Sequence, residues 1–299
     1  MPRLLTCALL ALLGLGGPAV AQDRIKVVAS FSILADLVSN VGGDRIEVAV
    51  LVGRNGDSHV FEPTPADSRR VAEARLVFVN GLGFEGWLDR LAQASGSKAP
   101  VVVASAGVRP RAGEADETRL DRRAGVDPHA WQSIANVKRY VANIRDALIK
   151  VDPAGNGNYA ANAGAYLAKL GALDQEVRST LAGIPADRRR VITSHDAFGY
   201  FADAYAIEFL APEGLSTDAE PSARAVARII RRIRSERIPA LFLENVVDPR
   251  LLQQIARETG VRIGGTLYSD ALTGPDGPAP SYIDMMRHNA GALAAALAD

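Results

Sequence analysis

Four side chains in this 299-residue chain have the chemistry to meet at one point. His59 lies in "VGRNGDSHVFEPTPADSRR", between a Gly/Asn/Asp turn and the pair Pro63 and Pro65. His129 lies in "VDPHAW", His195 in "SHDAFGYF" and Asp270 in "SDALTGPDG". They stand 70, 66 and 75 residues apart, so no local motif joins them. The chain has only four histidines, and this set uses three. Three neutral imidazoles and one carboxylate make a tetrahedral donor set for a borderline cation such as zinc. Spacing alone leaves a plainer reading open for each residue, as a helix cap or an exposed side chain. His288, on a C-terminal helical pattern, reads as surface.

These residues need a scaffold that gathers distant loops. The runs "RIKVVAS", "RIEVAVLVG", "ARLVFVNG", "APVVVAS", "RRVITSH", "PALFLEN" and "VRIGGTLYSD" are rich in Val, Ile and Leu, as in strands covered on both faces. Between them lie helical patterns such as "SILADLVSNVG", "SIANVKRYVANIRDALIKV" and "SARAVARIIRRIRSER". This alternation predicts an α/β fold on largely parallel sheets. In such sheets, ligands bind in the crevice beyond the carboxyl ends of strands. His59, His195 and Asp270 each follow a strand-like run, and His129 follows the loop Gly107–Val126. That loop mixes acids and arginines with few apolar residues and reads as a mobile surface excursion.

The segment from Pro153 is Ala- and Leu-rich and nearly free of strand signals. Asp152 followed by Pro153 is a start signal for a helix. One helix of about 28 residues would span roughly 42 Å and serve as a rigid strut between two lobes. The expected division is a leader 1–21, an N-terminal lobe 22–152, a linking helix 153–184 and a C-terminal lobe 185–299.

Arg3, a continuous apolar stretch and Ala19-Val20-Ala21 make a signal peptide with cleavage expected after Ala21. The apolar run is too short to span a membrane. Cys7, the only cysteine, lies inside that run, which argues against a lipid anchor there. The mature chain then has no disulfide and depends on its own core. Lys plus Arg and Asp plus Glu number 34 each, which gives no support for a nucleic-acid partner. The arginine-rich "RIIRRIRSER" reads as the wet face of an amphipathic helix.

Taken together, "SHVFEPTPAD", "DPHAW", "SHDAFGYFADAYAI", "EPSARAVARII", "LFLENVVDPRLLQQIA" and "GTLYSDAL" resemble the zinc/manganese/iron class of ABC-transporter solute-binding proteins, the ZnuA- and TroA-like group. The resemblance covers the mature chain in order. It implies two α/β lobes bridged by one long helix, with the metal between them. It also implies a monomer that captures a divalent metal in the periplasm for an inner-membrane ABC permease, and it leaves room for a periplasmic metallochaperone. Matched residue by residue, the family's metal ligands fall on His59, His129, His195 and Asp270. Glu62, Asp67, Asp127 and Asp196 are candidates either to orient the rings or to cap helices.

His195 replaces a carboxylate common in manganese-handling relatives, which favours zinc, with manganese and then iron as alternatives. The loop Gly107–Val126 lacks the histidines of a zinc-collecting loop, which cuts the other way. A zinc hydrolase is the rival class. No H-E-x-x-H or nucleophile elbow occurs, and a catalytic zinc keeps one position open for water. The chain is therefore expected not to be an enzyme.

Overall fold

The computed structural model describes residues 24–113 and 125–298. The expected leader, with Cys7, and positions 114–124 of the acidic-basic loop lie outside the described residues.

The first half runs β1 (Ile25–Phe31), α1 (Ser32–Gly42), β2 (Ile46–Val52), α2 (Pro65–Glu73), β3 (Leu76–Val79), α3 (Leu88–Ser95), β4 (Val101–Val103) and α4 (Ile134–Val151). After α5 (Asn156–Ala182) come β5 (Arg190–Ile192), α6 (Gly199–Tyr205), β6 (Glu208–Leu210), α7 (Ala223–Glu236), β7 (Ala240–Glu244), α8 (Arg250–Thr259), β8 (Arg262–Leu267) and α9 (Tyr282–Leu297). Two four-stranded sheets result, ordered β2-β1-β3-β4 and β6-β5-β7-β8. Every strand pair is parallel. The two orders are the same pattern used twice, and each reverses direction between its two central strands. Crevices at such switch points are where open α/β sheets hold ligands.

The expected strands all form; central β3 and β7 are buried on both faces, while edge strands β4 and β8 leave Val101, Val103 and Ile263 exposed. Short β6 and helix α6 have no counterpart among the expected elements, and α2 enters there only as a helix that Asp67 would cap. Their few residues carry too little periodicity to stand out. The linking helix starts later than expected. Pro153–Gly155 forms a 3-10 turn, and the α-helix proper is 27 residues, Asn156–Ala182. It buries one stripe: Tyr159, Ala163, Tyr166, Leu170, Leu173, Val177 and Leu181. In α7, Ala225, Ile229 and Ile233 are buried four residues apart, so the arginines take the outer face as expected.

One hydrophobic cluster runs from β1 and α1 through α4, α5 and α9 to Phe201, Phe209 and Phe242 of the second half. A separate, smaller cluster joins the second sheet to α7 and α8. Hydrogen bonds also stitch the halves together. Trp131 Nε1 and Gln132 Nε2 donate to the Ser269 carbonyl at 2.8 and 2.7 Å. The Tyr282 hydroxyl donates to the Trp131 carbonyl at 2.8 Å. The N–H groups of Leu272 and Tyr282 donate to Ser32 Oγ and Asp36 Oδ2, each at 3.0 Å.

The stem of the acidic-basic loop is anchored. Ala112 and Val126 form an antiparallel bridge, and the Arg111 N–H donates to the Tyr200 hydroxyl at 2.9 Å. A side chain at Gly113 would meet Leu215 at 2.5 Å, so glycine lets the stem seat against the second half.

Candidate metal centre

His59 is carried by the loop between β2 and α2. Asn55, with φ 56°, opens this loop in the left-handed region that Asn tolerates. Asp57 Oδ1 accepts the His59 N–H at 2.8 Å, while its other oxygen accepts the Thr217 hydroxyl at 2.6 Å from the second half. Downstream, Thr64 and Asp67 form a reciprocal capping box on α2, with Pro65 at its first turn. Asp67 therefore caps, and its second oxygen pairs with Arg70. Glu62 is exposed. Neither touches an imidazole.

His129 sits where the loop stem turns into the 3-10 turn Ala130–Gln132. Asp127 Oδ1 accepts the His129 N–H and lies 2.9 Å from ring Nδ1. Asn80 holds the Pro128 carbonyl at 2.8 Å and is itself gripped by the Tyr140 hydroxyl. The imidazole packs edge-on against Trp131 and Phe84. Thus Asp127, ambiguous in sequence, contacts a ring.

His195 follows β5. Glu244, at the end of neighbouring β7, accepts the N–H groups of Ser194 and His195 at 2.7 and 3.0 Å through Oε1. Its Oε2 stands 2.8 Å from His195 Nδ1. That contact is close but out of line for a hydrogen bond, and both atoms lack any other partner. Sequence reading passed over Glu244. Its signal was there: an acidic residue closing the apolar strand "PALFLEN". Asp270 follows β8, past Tyr268, whose backbone is clasped by the Asn289 amide, and Ser269, whose carbonyl takes Trp131 and Gln132.

All four sequence-selected residues arrive at one place. One donor atom from each lies within 4.8 Å of the others. Asp270 Oδ2 is 3.2 Å from both His59 Nε2 and His195 Nε2. Asp270 Oδ1 is 3.7 Å from His129 Nε2, and the Nε2 atoms of His59 and His129 are 3.4 Å apart. Every imidazole therefore turns Nε2 inward. His129, His195 and Asp270 are fully buried, and the His59 side chain is 5% exposed.

Burial alone would lower the His195 pKa, but Glu244 and Asp270 outweigh it and hold the ring well above its ordinary value. Burial alone would raise Asp270, yet His195 and His129 hold it well below the usual carboxylate range. Nearby Glu213 is pushed up to about 7, chiefly by burial. Both Asp270 oxygens and both His195 nitrogens are buried without a hydrogen-bond partner. Buried polar groups are rarely left so. A divalent cation among the donors would satisfy Asp270 and His195 Nε2, while His195 Nδ1 faces Glu244 on the outer side, and the donor set suits such an ion.

The fourth histidine differs from expectation. His288 is half-buried, with Nε2 2.9 Å from the Thr266 carbonyl and its ring against Tyr268. It lies on the inward side of α9, which the helical pattern alone did not reveal.

Comparison with known proteins gives a consistent result. A manganese-binding lipoprotein of Halalkalibacterium halodurans is 35% identical over 273 residues, covering 91% of this chain and 88% of the relative. An iron-binding protein of Yersinia pestis is 34% identical, covering 92% and 87%. Among solved structures, the periplasmic zinc-binding protein TroA of Treponema pallidum superposes with a TM-score of 0.85 at 28% identity, covering 93% of this chain and all of that one. The family profile for the periplasmic component A of zinc-uptake complexes matches residues 27–296, and the chain belongs to that family of metal ABC-transporter substrate-binding proteins.

Proposed function

We propose that this protein captures one divalent metal ion, with zinc as the preferred cargo, between His59, His129, His195 and Asp270, and delivers it to an inner-membrane ABC permease. The observation that carries this reading is the convergence of three inward Nε2 atoms on a buried carboxylate that has no hydrogen bond. Zinc is favoured because imidazole supplies three of four donors. Manganese or iron is the second reading, supported by the cargo named for the relatives above.

Asp270 supports a carrier rather than a hydrolase. It stands as close to the imidazoles as a fourth ligand must, which closes the position a catalytic water needs. Membership of a substrate-binding family agrees. We further place the protein in the periplasm as a monomer, exported by a signal peptide cleaved near Ala21. Its lobes are 22–152 and 185–299, joined by the helical segment 153–184. The proposed partner is the inner-membrane permease, and the reading leaves room for a periplasmic metallochaperone. Among the described residues, no helix is long and apolar enough to cross a membrane.

The test is metal analysis of protein purified without added metal, followed by competition titration of zinc, manganese and iron at fixed pH. One equivalent of zinc held most tightly supports the proposal. Tighter manganese moves the cargo to the second reading, and no stoichiometric metal removes the function.

A further inference from the structure

Each imidazole points Nε2 at the centre, so each Nδ1 faces outward and is open to a hydrogen-bond acceptor. The three outward partners are unlike. Among the described residues, no carboxylate accompanies Nδ1 of His59. Nδ1 of His129 has Asp127, but Arg111 Nη1 lies 3.4 Å from the other Asp127 oxygen and balances its charge. Nδ1 of His195 has Glu244, which is fully buried and pairs with no lysine or arginine among the described residues.

We propose that Glu244 is a positioning residue that fixes the orientation of His195 and adds a second uncompensated negative charge beside the donors, so that it sets how tightly the site holds a divalent ion. This rests on the reading of the four donors as a metal site.

Three features argue for it. The first is placement. β7 pairs with β5 through Val191–Ala240 and Ile192–Leu241, at the switch point of the second sheet. Glu244 closes β7 and His195 follows β5, so the sheet itself sets the two side by side. The second is grip. One carboxylate takes the N–H groups of Ser194 and His195 and also faces the ring. It fixes the main chain that carries the ring and sets a carboxylate oxygen beside its outer nitrogen, which favours the orientation with Nε2 inward. The third is charge. Of the carboxylates that touch these rings, only Asp270 and Glu244 lack a cationic side chain other than the imidazoles among the described residues. Two negative charges match a divalent ion. A buried carboxylate without a cation is costly, and the arriving ion offsets that cost. A carboxylate on the outer nitrogen also makes the imidazole a better donor, and losing such a partner typically costs 10–100-fold in metal affinity.

The test compares wild type with Glu244→Gln and Glu244→Asp. Gln keeps the reach and removes the charge; Asp keeps the charge and shortens the reach. Zinc affinity is read by chelator competition, geometry by the visible ligand-field bands of bound cobalt, and folding by thermal unfolding of the metal-free chain. Glu244→Gln is expected to weaken zinc by about 10–100-fold, with the metal-free unfolding temperature, read at alkaline pH where protonated His195 no longer contributes, no lower than that of wild type. Glu244→Asp is expected to fold, lose less zinc affinity than Gln, and shift the cobalt bands as His195 tilts. Zinc affinity of Glu244→Gln within about threefold of wild type, well short of that loss, together with cobalt bands unchanged in both variants, overturns the proposal. So does a loss of affinity matched by a fall in metal-free stability at that alkaline pH, which marks a merely structural role. A wild-type chain that takes up neither zinc nor cobalt overturns the metal-site reading itself, and this inference with it.

Discussion

Removing the cargo should leave the two lobes almost where they were. Swinging them apart means breaking the contacts that tie the segment Ser269–Tyr282 to the first half. Seven side-chain-mediated hydrogen bonds cross there, two of them from Arg54 near the surface to the Thr273 and Pro280 carbonyls. The other five join Trp131 and Gln132 to Ser269, Tyr282 to Trp131, Leu272 to Ser32, and Tyr282 to Asp36. At about 1 kcal/mol net for each of these five, opening costs about 5 kcal/mol before any apolar exposure is counted. That corresponds to an open population of about one molecule in a few thousand. The real cost is higher, because one hydrophobic cluster is continuous across both halves. A metal can shift only a state that is populated enough to be shifted. Small-angle scattering of chelator-treated and zinc-saturated protein should therefore give superimposable curves. Any change should be confined to the loops that carry His59 and Thr217, which meet through Asp57. A clear fall in radius of gyration on adding zinc would refute the reasoning and show that these contacts do not act as a latch.

His129→Ala should weaken zinc by orders of magnitude while the fold survives, since the ring is held at a loop and the core aromatics around it remain; unchanged affinity by titration removes His129 from the site. Acidification should release the metal. Below its raised pKa, His195 holds a proton that the ion must displace, so affinity should rise with pH through neutrality by up to about tenfold per unit per proton. The metal-free protein should show the opposite trend. Its stabilisation from protonated His195 beside Glu244 and Asp270 is complete below about pH 6.5 and lost as pH rises through the folded value. Parallel pH profiles for the two forms would contradict this linkage. His195→Glu should narrow the zinc-over-manganese ratio, mainly by weakening zinc, because a harder donor replaces an imidazole; competition between the two ions reads it, and an unmoved ratio places selectivity elsewhere.

Much of this molecule was legible in its sequence for a simple reason. Strands buried on both faces must be apolar along their length, and helices must be apolar on one side, so the alternation of β and α units is written locally. The four donors were legible too, because histidine is scarce here and three of four stand past strand-like runs or beside a Pro-locked turn. Other features had no local signature. Glu244 and Asp127 look alike as acids in loops or strand ends, and only the packed structure sets Asp127 beside an arginine and Glu244 without a lysine or arginine among the described residues. His288 reads as wet on a helical wheel, yet α9 turns it toward the Thr266 carbonyl. Asp67 could have reached a ring, but the geometry of α2 commits it to the capping box. Periodicity decides which elements form, because it acts over a few residues. Which nitrogen faces a cation, and which carboxylate keeps its charge, depends on neighbours 50 to 140 residues away in the chain, such as Glu244 beside Ser194 and Trp131 beside Ser269. Only the sheet order and the shared core bring those neighbours together.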